Sequence, residues 1–341
     1  MKRTRTLSLA AMLVAVVMSA PLAAGDGPPA RAERLRFDSR TESWIALPRP
    51  EPGTAAGDLA IARSLFADGA YKKAKKAAGK WLNRYGDEHE EYPAAVLLLA
   101  QAKKARRNYH AAHETLQELL SDFRGTGYAE EALVEDFNIA EVFLSGVRRK
   151  LWGMRLLKAD ETGLEILDRI STDYDGTAIA EKAIKTKADY FYRRGDFSLA
   201  ELEYARLVRE FPQSRYTRYA MRRSADAALA SFGGVCFDDA PLIEAEERFK
   251  LYMERFPGAA QQEGVGLRLN EIREKRAAKE LEIGRYYERA KQHAAAVFYY
   301  RSAMENWPES IAANKAASAL ESISDFTESG EVEPVEGGAA G

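Results

Sequence analysis

The stretch from Ala188 to Pro212 constrains the fold more than any other part of the chain. It reads as two helices joined by a tight turn at Gly195-Asp196 and stopped at Pro212. Ala188 is a small residue where the two helices must approach closely, and Phe191 follows about one turn on. After the turn, Phe197, Ala200, Tyr204 and Leu207 recur at spacings of three and four, which places them on one helical face. A single hairpin of this kind cannot cover its own apolar face, so it predicts neighbours built the same way.

The neighbours are present. Small, aromatic, Gly-x-aromatic, Ala, aromatic and a closing Pro is the tetratricopeptide order. Ala62, Gly69, Tyr71, Ala74, Ala78 and Trp81 repeat it, as do Ala100, a turn at Asn108, Tyr109, Ala112, Leu116 and Leu119. A third hairpin starts with Ala140 and Phe143 and resumes with Gly163, Leu167 and Ile170, after a basic, amphipathic insertion at residues 148–158 around Trp152. A fifth is built from Ala227, Ala245, Phe249, Tyr252 and Pro257, with a loop at residues 233–241. The last pairs a long charged helix, from about Glu263 to Ala290, with Ala296, Tyr300, Ala303 and Pro308. The spacing therefore predicts an all-α fold, an α-solenoid of tetratricopeptide-like hairpins over residues 58–326. Asp58 is its expected first N-cap, and a helix from Ile311 to Phe326 is expected to cover the open end.

The flanks differ in kind. Residues 1–25 have the form of a secretory signal: Lys2, Arg3 and Arg5, an apolar run from Leu7 to Ala20, then small residues to Gly25. Residues 26–57 carry Pro28, Pro29, Pro48, Pro50 and Pro52 and are expected to form an extended linker, with Trp44-Ile45-Ala46-Leu47 packing on the first hairpin. Residues 327–341 are acidic, Gly-rich and without apolar period, the composition of a disordered tail. A formal net charge of −2 supplies no general attraction to nucleic acid, and the lone Cys236 excludes an intrachain disulfide. An exported, periplasmic chain is the expectation, without a lipidation cysteine behind the signal.

No catalytic constellation stands out. His110 and His113 lie three apart beside Glu114, but no further His or Cys is near enough in sequence to complete a zinc site. Cys236 sits beside Asp238 and Asp239, whose charge opposes thiolate formation; Asp238-Asp239 reads as a helix cap, and His89 and His293 as surface residues. The expectation is a chain that is not an enzyme and holds no metal or cofactor.

Binding residues follow from the repeat. In stacked hairpins the first helix of each lines the groove, and positions next to its small residue, or a turn away, point inward. These are Arg63 and Phe66, Gln101 and Lys104, Glu141 and Leu144, then Lys182, Lys185, Tyr192 and Arg193, with Arg285 and Arg289 in the last hairpin. A basic, partly aromatic lining suits an extended peptide bearing carboxylates.

Residues 188–212, and again Leu281 to Pro308 with its Tyr286-Tyr287-Glu288-Arg289 ending, resemble the BamD family of outer-membrane assembly lipoproteins. The resemblance spans roughly residues 58–315. It implies a periplasmic, non-enzymatic scaffold at the inner face of the outer membrane. Its implied partners are the barrel-insertion subunit and unfolded outer-membrane proteins, and its membrane association is peripheral, through them. By that likeness the first two hairpins receive the client and residues 245–308 meet the insertion subunit, with Arg285 and Arg289 at the contact. The alternative left open by the residues is a periplasmic adaptor for cell-wall machinery.

Overall fold

The computed structural model describes residues 35–38, 43–46, 51–146, 148–151 and 154–328. The expected signal and all but the first two residues of the expected tail lie outside them. The chain divides into two compact units, Met1–Ala132 and Leu133–Gly341.

The first unit opens with an antiparallel pair, β1 (Leu35–Asp38) and β2 (Ser43–Ala46), within the expected linker. Four helices follow: α1 (Ala55–Ala67), α2 (Tyr71–Tyr85), α3 (Tyr92–Ala105) and α4 (Tyr109–Asp122), before α5 (Gly127–Leu144) begins. Helix α1 starts earlier than the sequence suggests. Its N-cap is Thr54, whose hydroxyl accepts from the Gly57 N–H at 3.1 Å. Asp58 instead accepts from the Gly53 N–H and the Tyr85 hydroxyl, at 2.9 Å each, and these donors hold its carboxyl below the usual range. Leu59, Ala62, Ala78, Trp81 and Leu98 form the core beneath, and the Trp81 indole donates to the Ala55 carbonyl at 2.7 Å.

The second unit continues α5. After it come β3 (Arg148–Leu151) and β4 (Met154–Lys158), then α6 (Asp160–Asp173), α7 (Ala178–Arg194), α8 (Phe197–Glu210), α9 (Thr217–Ser231) and α10 (Ala240–Arg255). A short α11 (Pro257–Gln262) leads into α12 (Val265–Arg289), α13 (His293–Asn306) and α14 (Ile311–Glu328). Within the basic insertion β3 and β4 thus pair antiparallel, with a register shift at Arg149/Lys150; Trp152 lies outside the described residues. The long charged helix starts at Val265, because Gly264 at φ 68° turns the chain after α11.

The small-residue rule is visible as packing. Gly163 of α6 lies so close to α5 that a Cβ would sit 3.1 Å from the Ala140 carbonyl oxygen and the Leu144 side chain. In the centre of the unit Ile184, Ala188, Ala200, Tyr204 and Leu207 share one core with Ala220 and Ala227 of α9. Tyr300, Ala296, Leu281 and Ala316 do the same for the final three helices. The turn within a hairpin needs one left-handed residue. Gly69 and Gly195 supply it without strain; Arg107 (φ 59°) and Lys291 (φ 58°) occupy the same position in the second and last hairpins.

Candidate binding site

Helix α7 carries Lys182, Lys185, Thr186, Asp189 and Arg193 at steps of three and four, and buries Ala180, Ala183, Ile184 and Ala188 on its other side. The polar stripe forms one wall of a cleft of about 320 Å³, closed by Glu141, Leu144 and Ser145 and by Tyr216. Five residues chosen by the repeat therefore meet in one place: Glu141, Leu144, Lys182, Lys185 and Arg193.

The centre of this wall is Asp189. It accepts from the buried Tyr204 hydroxyl at 2.5 Å, the Tyr219 hydroxyl at 2.8 Å and the Lys185 ammonium at 2.6 Å. Burial, reinforced by that hydrogen bond, pushes the Tyr204 phenol far above its ordinary value. Lys185 stands 4.7 Å from the Tyr219 ring centroid and 5.5 Å from that of Tyr216, and Lys182 lies 4.2 Å over Phe137. Arg193 is exposed.

Tyr192 faces a different neighbour. The Arg223 guanidinium lies over its ring at 3.5 Å, and Phe197 packs edge-on at 5.3 Å. Arg223 belongs to a second cleft, of about 390 Å³, lined by Arg218, Tyr219, Arg222, Arg223 and Asp226 of α9 with Tyr252 and Glu263. There Arg222 pairs with Asp226 at 3.6 Å and Glu263 at 3.1 Å, and Glu263 also accepts from the Tyr252 hydroxyl at 2.8 Å. Burial and then Glu263 push the Tyr252 phenol up to about 12, and burial raises the Asp226 carboxyl. The repeat-based reading missed this α9 stripe because it was anchored on Ala227. The signal was present as Tyr216, Tyr219, Arg222, Arg223 and Asp226, again at helical spacing.

The remaining expected residues are placed apart. In the first unit Arg63 is exposed, and Phe66 is half-buried beside the core, its ring 5.3 Å from Tyr71. Gln101 donates to Glu131 at 3.0 Å, and Lys104 is half-buried on α3. A cleft of this unit, about 550 Å³, is acidic: Asp87, Glu88, Glu90 and Glu131 line it, with none of the expected groove residues. His89, expected at the surface, sets its ring edge-on 5.2 Å from Trp81. Arg285 pairs with Glu282 at 2.6 Å, and Arg289 is exposed near the end of α12. His110 pairs with Glu114 at 3.3 Å, and among the described residues no cluster of His, Cys, Asp and Glu is arranged to hold a metal ion. No helix of these residues is long and apolar enough to cross a membrane.

Three comparisons bear on this arrangement. No curated protein matches the chain. Among solved structures it is similar to a tetratricopeptide repeat protein from Parabacteroides merdae, at 11% identity and a TM-score of 0.35, covering 74% of this chain and 92% of that one. It is also similar to the type IV pilus biogenesis factor PilW, at 17% and 0.30, covering 78% and 100%, and to PilF of Pseudomonas aeruginosa, at 11% and 0.29, covering 78% and 97%. Likeness at these scores carries no argument about function. The family model YfiO, described as outer membrane lipoprotein, matches residues 158–328, from the end of β4 to the end of α14. That segment is half of the chain and holds the α7 wall of the first cleft, the whole second cleft and the last three helices, and the chain belongs to the YfiO (BamD) family.

Proposed function

We propose that the protein is a non-enzymatic scaffold of the bacterial envelope. In this reading it works at the inner face of the outer membrane and supports assembly of β-barrel proteins by holding peptide segments and the barrel-insertion subunit. The observation that carries the reading is the paired set of clefts along α7 and α9. Lysine, arginine and tyrosine side chains there project from rigid helices at a shared spacing, a surface suited to an extended chain with carboxylates. Aromatic and arginine side chains are also the commonest anchors of protein interfaces. Family membership points the same way. Lys182, Lys185, Tyr192 and Arg193 are assigned to peptide capture. Arg63, Phe66, Gln101 and Lys104 are assigned to client binding within the first unit. Arg285 and Arg289 are assigned to the insertion subunit, and membrane association runs through that partner.

Affinity capture from cross-linked envelope extracts tests this. Recovery of the barrel-insertion subunit together with unfolded barrel proteins is expected, and Lys185→Ala with Arg193→Ala should deplete the barrel proteins while the chain stays folded. Recovery of cell-wall synthesis proteins instead would turn the assignment toward an adaptor for that machinery.

A further inference from the structure

The second cleft holds more charge than its internal pairs use. Of its three arginines, Arg222 is engaged by Asp226 and Glu263. Arg218 is exposed at the rim and forms no ion pair among the described residues. Arg223 has no carboxylate partner among the described residues; one of its N–H groups is engaged by the Tyr204 hydroxyl, its guanidinium face is taken by Tyr192 at 3.5 Å, with the Tyr219 centroid at 5.8 Å, and its Nε is buried without a hydrogen-bond acceptor. A guanidinium stacked by its face keeps its orientation and offers its in-plane N–H edge, the edge that meets a carboxylate with two parallel hydrogen bonds.

We infer that this cleft binds a carboxylate side chain of an extended acidic peptide segment, with Arg223 as the fork and Arg218 at the entrance. The inference rests on the peptide-binding reading above and names the chemistry that the segment carries. The floor decides between anions. Asp226 and Glu263 are acceptors, which repel a phosphate or a lipid headgroup that brings only acceptors. A peptide brings backbone N–H donors for them as well as a carboxylate for the arginines. Tyr219 joins this cleft to the first one, since its hydroxyl binds Asp189 while its ring faces Lys185. Tyr192, whose ring carries Arg223, is the sequence neighbour of Arg193, so one extended segment with carboxylates spaced along it can meet both arginines.

Fluorescence anisotropy with the full chain provides the test. The probe is a labelled Gly/Ser peptide of about ten residues with glutamate at every third position, measured against its glutamine twin. The glutamate peptide is expected to bind on the order of tenfold tighter or more, with an advantage that shrinks as salt is raised. Arg223→Gln and Arg223→Lys should remove most of that advantage alike, because an ammonium supplies no fork. Arg218→Gln, at an exposed position that leaves the fold alone, should remove part of it. Equal binding of the two peptides would overturn the carboxylate assignment and leave peptide binding standing; binding of neither would overturn both. Capture by phosphatidylglycerol vesicles that the same variants abolish, without binding of the acidic peptide, would identify a lipid surface and overturn the inference.

Discussion

The fourth and last hairpins solve one packing problem with different residues. Ala188 and Gly284 hold the same motif position, as do Gly195 and Lys291, Phe197 and His293, Tyr204 and Tyr300. In both hairpins the tyrosine is fully buried and its hydroxyl donates at 2.5 Å to a carboxylate of the first helix. The carboxylate differs. Asp189 follows the small residue directly and takes part in the cleft; Glu288 stands a turn later, near the hairpin turn. The comparison teaches that the repeat conserves a shape, while the polar group tied to its tyrosine decides whether that hairpin also builds a binding wall.

The largest effect that would break this comparison is at Gly284. A Cβ there would come 2.5 Å from the Tyr300 ring, which is buried and cannot retreat. Gly284→Ala should destabilise by about 1–3 kcal/mol despite the better helix former, read by chemical denaturation. Ala188→Gly should cost only about 1 kcal/mol, through helix propensity. Gly284→Ala without a cost would mean that the Tyr300 ring moves aside and that the approach there is no tighter than at Ala188.

Next come the hydroxyls. Tyr204→Phe should cost about 1–2 kcal/mol, since Asp189 is largely buried and keeps only Tyr219 and Lys185. It should also weaken peptide binding by loosening the α7 wall. Tyr300→Phe should cost less than about 1 kcal/mol, because Glu288 is half-exposed and regains water.

Smaller again are the turns. Lys291→Gly and Arg107→Gly relieve a left-handed backbone that side chains disfavour, and each should raise stability by roughly 0.5–1 kcal/mol. Gly195→Lys should lose a similar amount.

The last expectation is nil at neutral pH. Burial and Glu263 hold the Tyr252 phenol at about 12, and the Glu118 hydrogen bond, with burial, holds that of Tyr92 at about 12. Their folded values lie above the unfolded value of about 10. The stabilisation is therefore complete below about pH 10 and is lost as pH rises through about 12. Ultraviolet titration should show these phenols ionising only as the helical signal falls.

Much of this was legible in the sequence. The helical face Phe197, Ala200, Tyr204 and Leu207, the close approach at Ala188 and the stop at Pro212 follow from spacing alone. So does the stripe Lys182, Lys185, Arg193, because first-helix geometry fixes where it points. What escaped was set by tertiary contacts. Asp58 looks like a cap, but Thr54 takes that role and frees Asp58 for Tyr85, a partner 27 residues away. Phe66 has groove spacing, and its contact with the Tyr71 ring across the turn is not visible in that spacing. Residues 148–151 and 154–158 carry no pairing signal that periodicity detects, and only the observed register makes them strands. The acids of the stripe escaped as well: Lys185 is met by Asp189, one helical turn along α7.

The central claim is that the α7–α9 clefts are where this scaffold holds its protein partners. A photo-crosslinking side chain placed in cells at Arg193, exposed within the first cleft, addresses it most directly, with Leu202 as the control, an exposed α8 residue that lines neither cleft. The account predicts adducts to unfolded outer-membrane barrel proteins from position 193 and none from 202. Equal adducts from both positions, or adducts from 202 alone, would contradict it.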